Sequence, residues 1–66
     1  MKEQAEIMHM FRYYYHTAWA PGHITDGKSR LWVQAFNGLV SQGLILKKKK
    51  YPGYTYKWAA QFPEGL

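Results

Sequence analysis

The chain has no cysteine, so neither a disulfide framework nor a zinc–thiolate site can supply the stability that small domains often take from them. Carboxylates are nearly as scarce: Glu3, Glu6, Asp26 and Glu64 are the full set. Catalysis by acid–base or nucleophilic chemistry needs convergent groups, and this set leaves little to assemble; the expectation is a protein that is not an enzyme. No apolar run approaches the roughly 18 residues that cross a bilayer, and the first 20 residues mix Lys2, Glu3, Glu6, His9 and Arg12 among apolar ones, unlike a secretory leader. A soluble, cytoplasmic protein without a membrane partner is expected. No repeat, low-complexity linker or second domain is expected within these residues. At 66 residues the chain makes one domain, and a domain of that size buries only about 60% of the surface its unfolded form exposes.

Aromatic side chains are abundant instead. Three Trp, six Tyr and three Phe make 18% of the chain, which suits a small core built from large side chains and is too many for a disordered tail. Basic residues are the other surplus. From residue 27 to residue 63 the charged side chains are Lys28, Arg30, Lys47, Lys48, Lys49, Lys50 and Lys57, a charge of +7 with no carboxylate to offset it. Such a segment repels itself unless a polyanion answers it.

Periodicity divides the chain into two helices and a hairpin. Met8, Phe11, Tyr15 and Ala18 or Trp19, widened by Ile7 and Tyr14, predict an amphipathic helix over about residues 2–19 that Pro21-Gly22 ends. His23-Ile24-Thr25 reads as a short extended piece, an extra strand near Ile24. Thr25, Asp26 or Ser29 can each cap a second helix over about 29–42, with Leu31, Ala35, Phe36, Leu39 and Val40 on its apolar side and Gly43 as its left-handed stop. Gly38 within it costs about 1 kcal/mol relative to alanine; close approach by the first helix would account for it, although Asn37-Gly38 is also a turn signal.

Leu44 to Ala59 reads as a hairpin turning at Tyr51-Pro52-Gly53, whose return strand Tyr54-Thr55-Tyr56-Lys57-Trp58 alternates aromatic and polar residues. A two-residue turn at Pro52-Gly53 sets Lys47 opposite Trp58. A three-residue turn sets Leu46 opposite Trp58 and gathers Leu44, Leu46, Tyr56 and Trp58 on one face, the better core. Either register faces Lys57 with another lysine, so the hairpin is shaped to meet an anion. Ala59, Ala60 and Phe62 are expected to pack back on the core before Pro63.

Several small constellations carry less than they suggest. His23, Asp26 and Ser29 are the residue types of a hydrolytic triad, but they lie on one loop and cannot wall a substrate. His9 and His16, seven apart on the predicted helix, stand near 10 Å from each other and cannot share a metal. Gly22-x4-Gly27-Lys28-Ser29 matches the spacing of a phosphate-binding loop without the preceding strand and large parallel sheet such a loop needs. No metal and no cofactor is implied. Exposed aromatics on the return strand, Tyr54, Tyr56 and Trp58, would suit RNA if they lie outside the core.

The order of elements, with a helix running into Gly43-Leu44-Ile45, a basic hairpin turning at Gly53-Tyr54 and a Tyr56-x-Trp58 return, resembles a winged helix-turn-helix DNA-binding domain over roughly residues 24–60. The resemblance implies a small α+β winged-helix domain, two main helices packed on a C-terminal β-hairpin wing. It also implies a non-enzymatic partner of double-stranded DNA, a transcriptional regulator or an architectural or recombination accessory factor of the kind small phage or plasmid regulators and excisionases represent, located at the nucleoid. By position, Lys28, Ser29, Arg30, Val33, Gln34 and Asn37 would face the major groove, and Lys47, Lys48, Lys49, Lys50, Tyr54 and Lys57 would lie on the wing over the phosphate backbone. The family carries two helices between its first strand and the wing. Here Thr25 to Ser29 is too short for the extra one, so it has shrunk to a turn or the 29–42 segment divides differently. Tyr13, Tyr14 and Met10 offer a surface through which the first helix would pair with its twin as a homodimer. The alternative is a winged-helix interaction module or inhibitor whose basic wing grips an acidic protein partner.

Overall fold

A computed structural model describes residues 2–66 as an α+β arrangement in which two helices cover one face of a three-stranded antiparallel sheet. Helix α1 is Lys2–His9, and it places Ile7 fully inside the core, with Phe11, four residues on in the turn that follows, buried beside it. It does not continue to Trp19. From Met10 to Tyr14 the helix widens into a π turn, with the Tyr15 amide donating to the Met10 carbonyl at 3.1 Å and the Thr17 amide to the Phe11 carbonyl at 3.0 Å. The chain then turns sharply through His16 (φ 51°) and Thr17 (φ 62°), both left-handed. The reason is the sheet: Ala20 must reach an extended pairing with Tyr56, which a helix running to Trp19 could not supply. The apolar stripe is therefore cut short, and Tyr14 and Trp19 are exposed. His9 and His16 do not share a helix face either. Tyr15 stays half-buried against Phe11, ring centroids 6.4 Å apart; burial, and secondarily the neighbouring Tyr14 hydroxyl, push its phenol above the usual value of 10.0.

Strand β1 is Ala20–Pro21, and the residues after it are not the extended piece expected at His23-Ile24-Thr25. Gly22–Thr25 coils into one 3-10 turn that buries Ile24. The extra strand thus sits a few residues before Ile24, where Ala20 rather than Ile24 has the sheet's hydrogen-bonding edge. Helix α2, Arg30–Ser41, begins at Ser29, whose Oγ accepts from the Trp32 amide at 3.2 Å. It runs unbroken through Asn37-Gly38 and stops at Gly43, which has φ +80°. Its buried residues are Trp32, Ala35, Phe36 and Leu39; Leu31, expected on that side, is 58% exposed, because Trp32 takes the core position one residue later. Nothing lies within 4 Å of where a Gly38 Cβ would stand, so close approach by α1 does not explain this glycine.

Strands β2 (Ile45–Lys50) and β3 (Gly53–Trp58) form the hairpin, and β3 is central, in the order β1-β3-β2. Its register is neither of the two expected. Ile45 pairs with Trp58, Lys47 with Tyr56, Lys49 with Tyr54 and Leu46 with Lys57, so the two-residue loop is Tyr51-Pro52, joined by a cis peptide bond. The register follows the core: it buries Ile45 and Trp58 opposite each other beneath Phe11 and Phe36 and leaves Leu46 on the other face, 46% exposed. Lys57 consequently faces Leu46 rather than a lysine. Phe11 lies 6.3 Å from Phe36 and 6.2 Å from Trp58, centroid to centroid, and Trp32 stacks on Phe36 at 5.3 Å, so aromatic rings do connect both helices to the sheet. Phe62 stacks on the Trp58 ring at 5.2 Å and 10°, as expected, while Ala59 and Ala60 stay exposed. Tyr13 donates its hydroxyl to the Leu66 carbonyl at 2.7 Å, tying the end of the first helix to the C-terminal segment. Among the described residues no helix is long and apolar enough to cross a membrane.

Candidate nucleic-acid interface

Two surfaces carry the residues that the sequence singles out. The first is the side of α2 opposite its core. Arg30, Gln34, Asn37 and Ser41 recur at four, three and four residues and are all exposed, a stripe of one cation and three short polar groups along the helix. Val33 is half-buried and packed against the core, so it belongs to the flank of this stripe. Lys28 and Ser29 stand at the helix start. Ser29 is engaged in the cap, and the Lys28 ammonium lies over the Trp32 ring, 5.3 Å from its centroid.

The second surface is the hairpin. All four lysines of β2 are exposed, and strand alternation sends them to both faces. Lys47 and Lys49 share the side of Tyr56 and Tyr54, across from which they pair. That is the core side, but beyond the point where the helices cover it, and the Lys47 ammonium rests over the Tyr54 ring at 4.3 Å. A lysine stem can lie on aromatic surface while its charge stays in water, which explains how the register tolerates lysine there. Lys48, Lys50, Thr55 and Lys57 face outward. The ammonium groups of Lys48 and Lys57 stand 5.9 and 5.8 Å from the centre of the Trp19 ring. The Thr55 hydroxyl points back to the Lys48 carbonyl, at 3.5 Å.

Trp19 is the residue that sequence reasoning placed wrongly. It precedes β1, and since Ala20 points inward opposite Tyr56, Trp19 must point outward. The available signal was the parity of Trp19-Ala20-Pro21 against the return strand, which depends on knowing that β1 exists. Conversely Trp58 is buried and Tyr56 half-buried, so two of the three return-strand aromatics are in or against the core.

Two depressions adjoin this hairpin. One, of about 670 Å³, lies between the β1 segment and the hairpin tip and is lined by Trp19, Pro21, His23, Asp26, Tyr51 and Tyr54 among others. The other, of about 380 Å³, is on the outer face and is lined by Trp19, Lys48, Lys49, Lys50 and Thr55. Among the described residues no group of three or more His, Asp or Glu side chains is placed to hold a metal ion.

Compared with known protein families, curated proteins and solved structures, the chain matches none.

Proposed function

We propose that this chain is a non-enzymatic DNA-binding domain of winged-helix type, with the β2–β3 hairpin as the wing on the phosphate backbone and the α2 stripe in the major groove. The observation that carries the reading is the state of the lysines. Lys47, Lys48, Lys49 and Lys50 are consecutive and exposed on one strand, and the neighbours of Lys47, Lys48 and Lys57 are aromatic rings rather than carboxylates. An array of cations with aromatic rather than acidic neighbours on a paired hairpin suits a polyanion, because releasing counterions from DNA is what makes such contacts favourable. Arg30, Gln34 and Asn37 on one exposed helix face supply the side-chain types that reach phosphates and base edges. Where the winged-helix family carries a supporting helix, this chain has the single 3-10 turn Gly22–Thr25.

The test is a fluorescence-anisotropy titration of a labelled 20-base-pair duplex of random sequence at several salt concentrations. With about six phosphate contacts the log–log salt slope should be roughly −5, and replacing Lys47 to Lys50 by alanine should flatten it by about 3 to 4. Absence of binding at about 50 mM salt would remove the DNA reading and leave an acidic protein as the partner the hairpin serves.

A further inference from the structure

We propose that the outer face of the sheet is a docking site for an unpaired base of single-stranded DNA, with Trp19 as the stacking platform and Lys48, Lys50 and Lys57 holding the adjoining phosphates. The inference rests on the reading that the hairpin meets DNA, and it adds a strand type and a residue outside that reading. Trp19 is 42% exposed although it belongs to a chain whose other two tryptophans, Trp32 and Trp58, are buried. Its indole is held at the edge of the sheet by the pairing of Ala20 with Tyr56, the next residue along. Two ammonium groups, from different strands, converge on that one ring at 5.9 and 5.8 Å. Both are positive, and beside the ring Lys48, Lys49, Lys50 and Thr55 line a cleft that no Asp or Glu enters, so the charge around the indole has no local counter-charge. An anion beside the indole offsets that charge, and a nucleotide supplies both the anion and a flat π-surface.

The geometry favours a single strand over a duplex. A base pair inside a helix has its faces covered by its neighbours and offers the sheet only phosphates, whereas an unpaired base can lie on the indole. The cleft of about 380 Å³ is at the lower end of the size range of small-ligand sites, roughly 300–1,000 Å³, and is open to solvent as a passing strand requires. Stacking of this kind is tolerant of sequence, since every base has a π-face.

The test compares a 12-nucleotide oligothymidylate with the random 20-base-pair duplex, titrated against the wild-type protein, Trp19→Ala and Trp19→Phe at one low salt concentration. The oligothymidylate should quench tryptophan emission in the wild type. Trp19→Ala should abolish that quench and weaken oligothymidylate binding about 10-fold, within the range measured for a lost base–aromatic stack. Trp19→Phe should keep affinity within about threefold, and both variants should bind the duplex within about twofold of wild type. Far-UV circular dichroism checks that both fold. Oligothymidylate binding unchanged by Trp19→Ala would overturn the stacking site while leaving the duplex reading intact. Equal weakening toward both nucleic acids would also overturn it, since Trp19 would then act through the shape of the hairpin. Failure of the wild type to bind either would remove both proposals together.

Discussion

Gly22 lies directly against the main chain of Tyr54: a Cβ at Gly22 would overlap the Tyr54 carbonyl oxygen and come to 3.3 Å from its carbonyl carbon and amide nitrogen. The first turn after β1 is thereby pressed onto the central strand at the point where the hairpin leaves the core. Gly22→Ala should therefore destabilise the fold. A gain of about 0.4–1 kcal/mol is ordinarily expected from stiffening the unfolded chain. Backbone cannot move aside as a side-chain tip can, so the clash outweighs that gain, at about 2 kcal/mol, and lowers the melting temperature by roughly 10 °C in a domain this small. Thermal unfolding followed at 222 nm measures it, and a melting temperature at or above wild type would show that the 3-10 turn can lift off β3.

Gly38 is the opposite case. It sits within α2, has no positive φ, and would meet nothing within 4 Å of a Cβ. Gly38→Ala should stabilise the protein by about 1 kcal/mol, the helix-propensity difference with no packing term against it. Urea denaturation should move its midpoint upward with an unchanged slope. A midpoint below wild type would reveal a neighbour at this position.

Thr17 holds a left-handed conformation, φ 62°, that a β-branched side chain rarely adopts. The strain is local and exposed, since Thr17 has no buried contacts and its hydroxyl bonds only to the adjacent His16 carbonyl. Thr17→Gly should remove a cost of about 1 kcal/mol, less the extra entropy glycine gives the unfolded chain, for a small net rise in stability. Thr17→Val, which keeps the branch and loses the hydroxyl, should not rise. If glycine destabilises more than valine does, the left-handed backbone of residue 17 carries no strain that glycine relieves, since both variants lack the hydroxyl.

The sequence makes the architecture visible where one periodicity acts alone. Helix α2 is legible because its cap at Ser29, its core spacing and its stop at Gly43 agree. The end of the first helix and the hairpin register, both misjudged, each depended on a partner distant in the chain. The π turn at Met10–Tyr14 and the left-handed pair after it exist because Ala20 must pair with Tyr56, and nothing between residues 2 and 19 records that demand. The hairpin register likewise turns on one pocket. Leu44, Ile45 and Leu46 are equivalent apolar residues locally, and the one that enters the core is decided by Phe11 and Phe36 across the interface. The lysine strand was legible as a surface, but its aromatic neighbour was not: Trp19 lies outside the hairpin, and only the three-strand order brings it beside Lys48 and Lys57.

Tyr15 gives the fold an alkaline limit. Its hydroxyl is pushed above 10.0 mainly by burial, so the unfolded chain loses that proton at lower pH than the folded one. With more protons bound in the native state, stability falls as pH rises from about 10 through the higher folded value, and is unaffected below it. Other tyrosines and the lysines titrate in the same window, so the informative quantity is the difference between wild type and Tyr15→Phe. Urea midpoints of the two should run parallel from pH 6 to pH 9, and above pH 10 the wild type should fall faster. Parallel curves throughout would show that the Tyr15 hydroxyl is solvated as freely in the folded chain as in the unfolded one.

Whether α2 or the hairpin alone meets DNA can be separated at Lys28 and Arg30, which flank the Ser29 cap and carry the only charges at the start of the helix. Reversing both, Lys28→Glu with Arg30→Glu, changes the local charge by four units where the exposed α2 stripe begins. The fold should withstand it. Negative charge at a helix N-terminus interacts favourably with the helix dipole, by about 0.3–1 kcal/mol each, and what is lost is the Lys28 contact with the Trp32 ring, of similar size when exposed. Far-UV circular dichroism of the double variant checks that a loss of binding is not a loss of fold. If α2 lies in the major groove, repulsion from the phosphates should weaken binding to the random duplex by more than about tenfold at 100 mM salt. Binding within twofold of wild type would confine the contact to the hairpin, and Gln34 and Asn37 would then be solvated residues on a helix that serves the core alone.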